Sequence, residues 1–346
     1  AGQLRVACDV SALRQKLKIA AHPFGQAPPR LGRTSCQITT ARTQLVRQKR
    51  FKPFDIGSQC GCVDHVIPLT DFRSAEKALV TGKVPRYPFD MLNTVVHGTP
   101  TDKPPLLIVH GLYGSARNWG VIAKRLSDER QVIAVDQRNH GNSFRAEQHG
   151  YHDMAGDLAE VIDAHGGQMD VMGHSMGGKA AMVLALTHPE KVGRLVVADI
   201  APVAYSHDQT QYINAMKSIN LDKVARRSDA VEQLAKLVPE KTLQSFFTQS
   251  LDVANKRWLL NLDVLGSEMP KIIGWPGTTG EFPRPTLFLT GSESDYVLPE
   301  HRAHIRELFP RARFAKIPGT GHWLHAEKPR EFEASVRTFL NYDFGD

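Results

Sequence analysis

From about residue 85 onward, short unbroken apolar runs alternate with longer segments in which apolar residues return every three or four positions. Leu106-Leu-Ile-Val-His110, Gln131-Val-Ile-Ala-Val-Asp136, Leu195-Val-Val-Ala-Asp-Ile200, Thr286-Leu-Phe-Leu-Thr290 and Ala312 to Ile317 predict strands. Apolar residues at successive positions suit strands covered on both faces. Tyr87 to His97 predicts an opening hairpin strand. Between these, Leu112 to Leu126 reads as a loop and helix. Tyr151 to His165 carries Met154, Leu158, Val161 and Ile162 at helical spacing, and Gly166-Gly167 ends it. Ala180 to Leu186 predicts a buried helix. Pro329 to Asn341 predicts a final one, with Phe332, Val336, Phe339 and Leu340 on one side. Strands alternating with helices predict an α/β fold, a mostly parallel central sheet with helices on both faces. Residues 203–282 interrupt the rhythm with several helical patterns and no clear strand, which predicts a helical insertion capping the site.

Composition changes the picture mainly at the N-terminus. The net charge of +7 is not spread along the 346 residues. Residues 1–60 hold eleven Lys/Arg against Asp9 and Asp55, leaving 32 basic and 34 acidic residues downstream. The downstream part is therefore near neutral and shows no clustered basic face, which argues against nucleic acid as a partner. Residues 1–80 are Arg-rich, polar and acid-poor. Val10 to Ala21 predicts a short basic amphipathic helix, so the region reads as an organellar targeting segment, mitochondrial first, with plastid or cytoplasmic residence as alternatives. Residues 81–346 form the predicted catalytic domain. Cys8, Cys36, Cys60 and Cys62 all lie early. Cys60-Gly-Cys62 lacks both a second pair and the usual Cys-x-x-Cys spacing, so these read as incidental thiols. No apolar run approaches the roughly 18 residues that a membrane-spanning helix needs.

The chemistry centres on Gly173-His-Ser-Met-Gly177, which follows an apolar run and precedes the Ala180–Leu186 helix. Strand, tight turn and helix form the setting in which Gly-x-Ser-x-Gly exposes a serine on a strained turn. Side chains at 173 or 177 would crowd the neighbouring strand and helix. A serine hydroxyl needs an adjacent base. His322, in Gly319-Thr-Gly-His-Trp323, lies in a late loop from which it can reach back over the sheet edge. His325 is expected to pack against the final helix instead. The base in turn needs a carboxylate that fixes its tautomer. Asp295, in Gly291-Ser-Glu-Ser-Asp-Tyr-Val297, satisfies the order Ser…Asp…His and is the first choice. Asp199, after the strand that follows the nucleophile helix, and Asp263, in the insertion, are the alternatives. The backbone amides of Leu112 and Met176 are the candidate oxyanion hole. His110 is expected to orient that loop. Asp136, Arg138 and Asn139 are expected to tie down loops bordering the site, and Lys179 to bond nearby carbonyls. Nothing calls for a cofactor or a metal: the chain has neither His-Glu-x-x-His nor a Gly-rich dinucleotide turn.

Taken together, His110-Gly-Leu-Tyr-Gly-Ser115, Asp136-Gln-Arg-Asn-His-Gly-Asn-Ser143, Gly173-His-Ser-Met-Gly-Gly-Lys179, Asp199-Ile-Ala-Pro202 and Gly321-His-Trp323 resemble the α/β-hydrolase superfamily. More narrowly, they resemble the abhydrolase domain-containing 11 group and its bacterial YbfF-type esterases, from about Pro85 to the C-terminus. The resemblance implies a serine esterase with a small helical cap, acting on acyl esters or thioesters, and, from its animal members, a mitochondrial location. It also bears on the acid. Relatives often carry no aspartate in the loop matching Gly291–Val297, which implies that theirs comes from the position of Asp199, and animal relatives carry one matching Asp263. The expected partner is a small acyl ester or thioester. Acyl transfer from the same acyl-enzyme, or a receptor that retains the triad without turnover, are the competing readings.

Overall fold

The computed structural model describes residues 91–345. The expected targeting segment, its Val10–Ala21 helix and all four cysteines lie outside the described residues. Within them the apolar runs become β1 (Thr94–His97), β2 (Leu106–Val109), β3 (Val132–Val135), β4 (Met169–His174) and β5 (Val192–Ala198). After a short antiparallel ribbon, β6 (Leu251–Asp252) and β7 (Arg257–Trp258), come β8 (Thr286–Gly291) and β9 (Ala312–Ile317). The central sheet has seven strands in the order β1-β3-β2-β4-β5-β8-β9. Every pairing in it is parallel except that of β1 with β3. The opening strand thus forms no hairpin with its sequence neighbour. It crosses to the far side of β3, where Thr94 to His97 face Val135 to Val132.

Both sheet faces are covered, which accounts for the unbroken apolar runs. Leu107, Val109, Ile133, Val171 and Val197 pack on one face beneath α2 (Tyr151–Ala164) and α3 (Met176–Thr187), following α1 (Gly120–Leu126) in the chain. Leu106, Ile108, Ala134, Met172 and Val196 pack on the other, together with Trp119, Ile122, Phe332 and Val336.

Between β5 and β8 lies the insertion. It comprises α4 (Thr210–Lys217), α5 (Arg227–Leu234), α6 (Lys241–Gln249), the β6–β7 ribbon, α7 (Leu262–Ser267) and α8 (Met269–Ile273). The ribbon corrects the expectation of a purely helical insertion; two residues per strand are too few to leave an alternating pattern. Then follow α9 (His301–Leu308), α10 (Leu324–Glu327) and α11 (Pro329–Asn341). No helix among the described residues is long and apolar enough to cross a membrane.

What positions the site is the docking of α3 against the strand ends. A Cβ on Gly177 would lie 2.4 Å from the carbonyl oxygens of both Val109 and His110, and one on Gly173 would lie 2.2 Å from the Gly177 oxygen. Backbone thus meets backbone there, and no side chain can yield. Gly177→Ala should therefore cost at least about 1–3 kcal/mol, read as a clear fall in Tm together with lost activity. Gly156, in α2, has nothing within 4 Å of its virtual Cβ. Gly156→Ala should raise stability by about 0.5–1 kcal/mol. Equal Tm values for the two variants would contradict this account.

Candidate active site

Ser175 is the first residue after β4 and stands immediately before α3, at φ 54° and ψ −123°. This sparsely populated conformation costs of order 1–3 kcal/mol and persists only where the surroundings enforce it. Here the Ser175 amide donates to the Ala198 oxygen at 3.0 Å, and the glycines on either side admit the close docking of α3. The hydroxyl is thereby held at the C-terminal edge of the sheet. His322 Nε2 lies 3.0 Å from Ser175 Oγ. On the other side of the ring, His322 Nδ1 lies 2.8 Å from Asp199 Oδ2. Because an ionised carboxylate can only accept, Nδ1 carries the proton and Nε2 is free to accept from the serine.

The structure places Asp199, and not the preferred Asp295, against the His322 ring. β5 lies directly beside β4, whereas β8 is one strand further away. Asp199 follows β5 at φ 52°, and its carboxylate is fully buried next to the imidazole. Its Oδ1 accepts from the Gly291 amide at 3.0 Å, and its Oδ2 accepts from the Ser294 hydroxyl. Asp295 is exposed, on the solvent side of the same loop. Asp263, on α7, is also exposed and pairs with Lys217 at 2.5 Å. Neither makes a hydrogen bond to His322 among the described contacts. The Gly291–Val297 loop does reach the site, through the Ser294 hydroxyl on Asp199.

The amides of Leu112 and Met176 border the same cavity as Ser175 and His322. Met176 opens α3, where the first N–H groups of a helix have no intrahelical acceptor. Leu112 follows Gly111, whose virtual Cβ lies 3.2 Å from Ser175 Cβ, so that this backbone passes directly beside the nucleophile. The loop is pinned from behind. His110 Nε2 accepts from the Gln137 amide at 2.9 Å, and the Gln137 side chain donates to the His110 oxygen at 2.6 Å. His140 Nε2 accepts from the Tyr113 amide at 3.2 Å. Burial pulls both histidines below the usual imidazole range, which suits neutral struts.

The Asp136–Ser143 loop is tied to its surroundings by a dense set of hydrogen bonds. Asp136 accepts from the amides of Ala116 and Asn142 at 2.8 and 2.9 Å and from the Asn93 side chain at 2.9 Å. Arg138 grips Asp157 with two bonds of 2.6 and 2.8 Å. Asn139 reaches the insertion through Asn261 at 2.9 Å. Lys179 is buried on α3 and donates to the oxygens of Ile273 and Gly274 at 2.9 and 2.5 Å, beneath the Tyr205 ring. Burial lowers its ammonium to about 7. His325 stacks on Trp119 at 4.4 Å, the packing role expected of it. His174, the second residue of the pentapeptide, carries a role that pattern reading missed. Its Nε2–H donates to the backbone oxygen of His322 at 2.9 Å and holds that loop in place.

The cavity beside Ser175 has a volume of about 230 Å³. Leu112, Met176 and Ile200 from the sheet edge and Tyr212, Leu243, Phe246 and Phe247 from the insertion line it. Trp258, by contrast, donates to the Met216 oxygen at 3.1 Å and packs the insertion internally. The surface around the serine is thus mostly apolar, with polar side chains such as Asn118, Gln209 and Tyr212 also on its wall.

The profile of the α/β-hydrolase fold matches residues 104–329. The chain is 39% identical over 248 residues to the sn-1-specific diacylglycerol lipase ABHD11 of Mus musculus, covering 68% of this chain and 81% of that protein. It is 37% identical over 243 residues to esterase YbfF of Escherichia coli, covering 68% and 93%. A solved marine microorganism esterase superposes with a TM-score of 0.68 at 37% identity, over 72% of this chain and 99% of that one. With a profile spanning most of the chain and relatives at this identity and coverage, the protein belongs to the α/β-hydrolase family, in the group that contains ABHD11 and YbfF.

Proposed function

We propose that this α/β-hydrolase cleaves carboxylic esters of short to medium acyl chains through an acyl-enzyme on Ser175, with His322 and Asp199 completing the triad. The observation that carries the reading is the unbroken path from Ser175 Oγ through His322 to the buried Asp199, with links of 3.0 and 2.8 Å. His322 Nε2 takes the hydroxyl proton as Ser175 Oγ attacks the acyl carbon. The Leu112 and Met176 amides receive the charge that develops on the carbonyl oxygen. Collapse of the tetrahedral intermediate breaks the bond to the alcohol or thiol, which leaves with the proton from Nε2. Water then attacks the acyl carbon, giving its proton to the same nitrogen, and the acid departs as Ser175 is restored. Asp199 stabilises the imidazolium in both halves. The Ser294 hydroxyl and Gly291 amide keep that carboxylate oriented.

The cavity supports the size class. At about 230 Å³ it falls below the roughly 300–1,000 Å³ of drug-sized sites, and its apolar lining suits an alkyl chain. The mouse relative's name makes diacylglycerol a substrate to include beside simple esters and thioesters.

The acid assignment has a direct test. Asp199→Asn should lower kcat by about three to four orders of magnitude, as wrong-tautomer variants do. Asp295→Asn and Asp263→Asn should stay near wild type, since both side chains face solvent. A large loss in Asp295→Asn with Asp199→Asn unaffected would overturn the assignment. Acyl-chain selectivity provides a second. In a p-nitrophenyl ester series, kcat/KM should peak between acetate and hexanoate and decline by laurate. A steady rise toward palmitate would contradict the size class.

A further inference from the structure

Two hydrogen bonds do not by themselves fix an imidazole. Contacts at Nδ1 and Nε2 hold two points of the ring and leave rotation about the line between them. The backbone is held, with the His174 ring donating to the His322 oxygen at 2.9 Å, but the side-chain torsions can still turn the ring about its Cβ tether. What meets the ring's face is Tyr296. Its phenol lies parallel to the imidazole, with centroids 3.8 Å apart and 16° between the planes.

Tyr296 is itself secured at several points. Its carbonyl accepts from the Tyr205 hydroxyl at 2.7 Å, and that hydroxyl accepts from the Ala201 amide at 2.9 Å. Its own hydroxyl meets His207 Nε2 at 2.8 Å. Burial, with Asp295 and Asp199 nearby, pushes the phenol up to about 12. The rings of Tyr205 and His207 pack against it at 5.1 and 5.0 Å. All of these anchors belong to the segment 201–207, which continues directly from Asp199. One stretch of chain therefore delivers the acid to one edge of His322 and braces the tyrosine that covers its face.

We propose that Tyr296 is a positioning residue for the reaction: its ring holds the plane of His322 so that Nε2 addresses Ser175 while Nδ1 stays on Asp199. A flat π face also favours the imidazolium that forms once the serine proton has moved. The requirement is for an aromatic face, not for the hydroxyl. The inference rests on the hydrolase reading above.

Full-length wild type, Ser175→Ala, Tyr296→Phe and Tyr296→Leu would be compared in p-nitrophenyl acetate turnover and in the rate of labelling by a fluorophosphonate. The phosphonate reads the reactivity of Ser175 without an acyl chain in the pocket. Tyr296→Leu should lower kcat about 10- to 100-fold, the scale of a small misplacement at a reacting centre, and slow labelling in parallel. KM should move by no more than about threefold. Tyr296→Phe should restore both rates to within about threefold of wild type. Should Tyr296→Leu fail to fold, as judged by its thermal melt, Tyr296→Met makes the same comparison with similar bulk and no flat ring. Wild-type rates in the Leu or Met variant would overturn the proposal. So would equal losses in Phe and Leu, which would transfer the role to the hydroxyl, or a change confined to KM, which would make Tyr296 a pocket wall. Failure of the hydrolase reading looks different: wild type would then show neither turnover nor labelling beyond Ser175→Ala.

Discussion

The approach of α3 to the ends of β2 and β4 determines where everything else in the site can stand. At Gly173 and Gly177 backbone touches backbone, and a single methyl group at either would fall within 2.5 Å of a carbonyl oxygen. That approach forces Ser175 into its strained conformation and brings the opening amide of α3 beside the loop after β2. The proposed nucleophile and the proposed oxyanion donors are thus two consequences of one packing contact. The strain is held by the hydrophobic layers on either side of the sheet, far more extensive than the turn they constrain.

A second constraint is the treatment of histidine. Burial depresses His110, His140, His149 and His174, and each bonds a loop amide, a carbonyl or a neighbouring side chain through its ring. They act as neutral polar cross-braces where the sheet edge turns into loops. His322 differs in setting. Its side chain keeps 19% exposure and has a serine on one nitrogen and a buried carboxylate on the other. Chemical identity is shared by all five residues. Placement separates the proposed base from the braces.

Much of this was legible in sequence because it is local. Strand, glycine-flanked serine and helix follow one another within about twenty residues, and β9 and α11 appear with their expected limits, Ala312–Ile317 and Pro329–Asn341. The carboxylate that meets His322 was not legible, because Asp199 and Asp295 both follow strands and both precede His322. The choice turns on β5 lying beside β4 and on the positive φ at residue 199, which are facts of sheet order and backbone geometry. Tyr296 and Ser294 lay in a loop read for its aspartate alone. A ring-on-ring stack leaves no spacing signature, so only their arrangement in space reveals them. The same applies to β1, whose partner across the sheet edge is β3 and not the adjacent run.

The central claim is that one oxygen, Ser175 Oγ, forms the covalent intermediate. Peptide mapping by mass spectrometry after stoichiometric fluorophosphonate inactivation tests it most directly. One phosphonyl adduct per chain is expected, on the peptide containing Ser175, accumulating in proportion to lost esterase activity. Inactivation with the adduct on another residue, or full labelling of Ser175 with esterase activity intact, would contradict it.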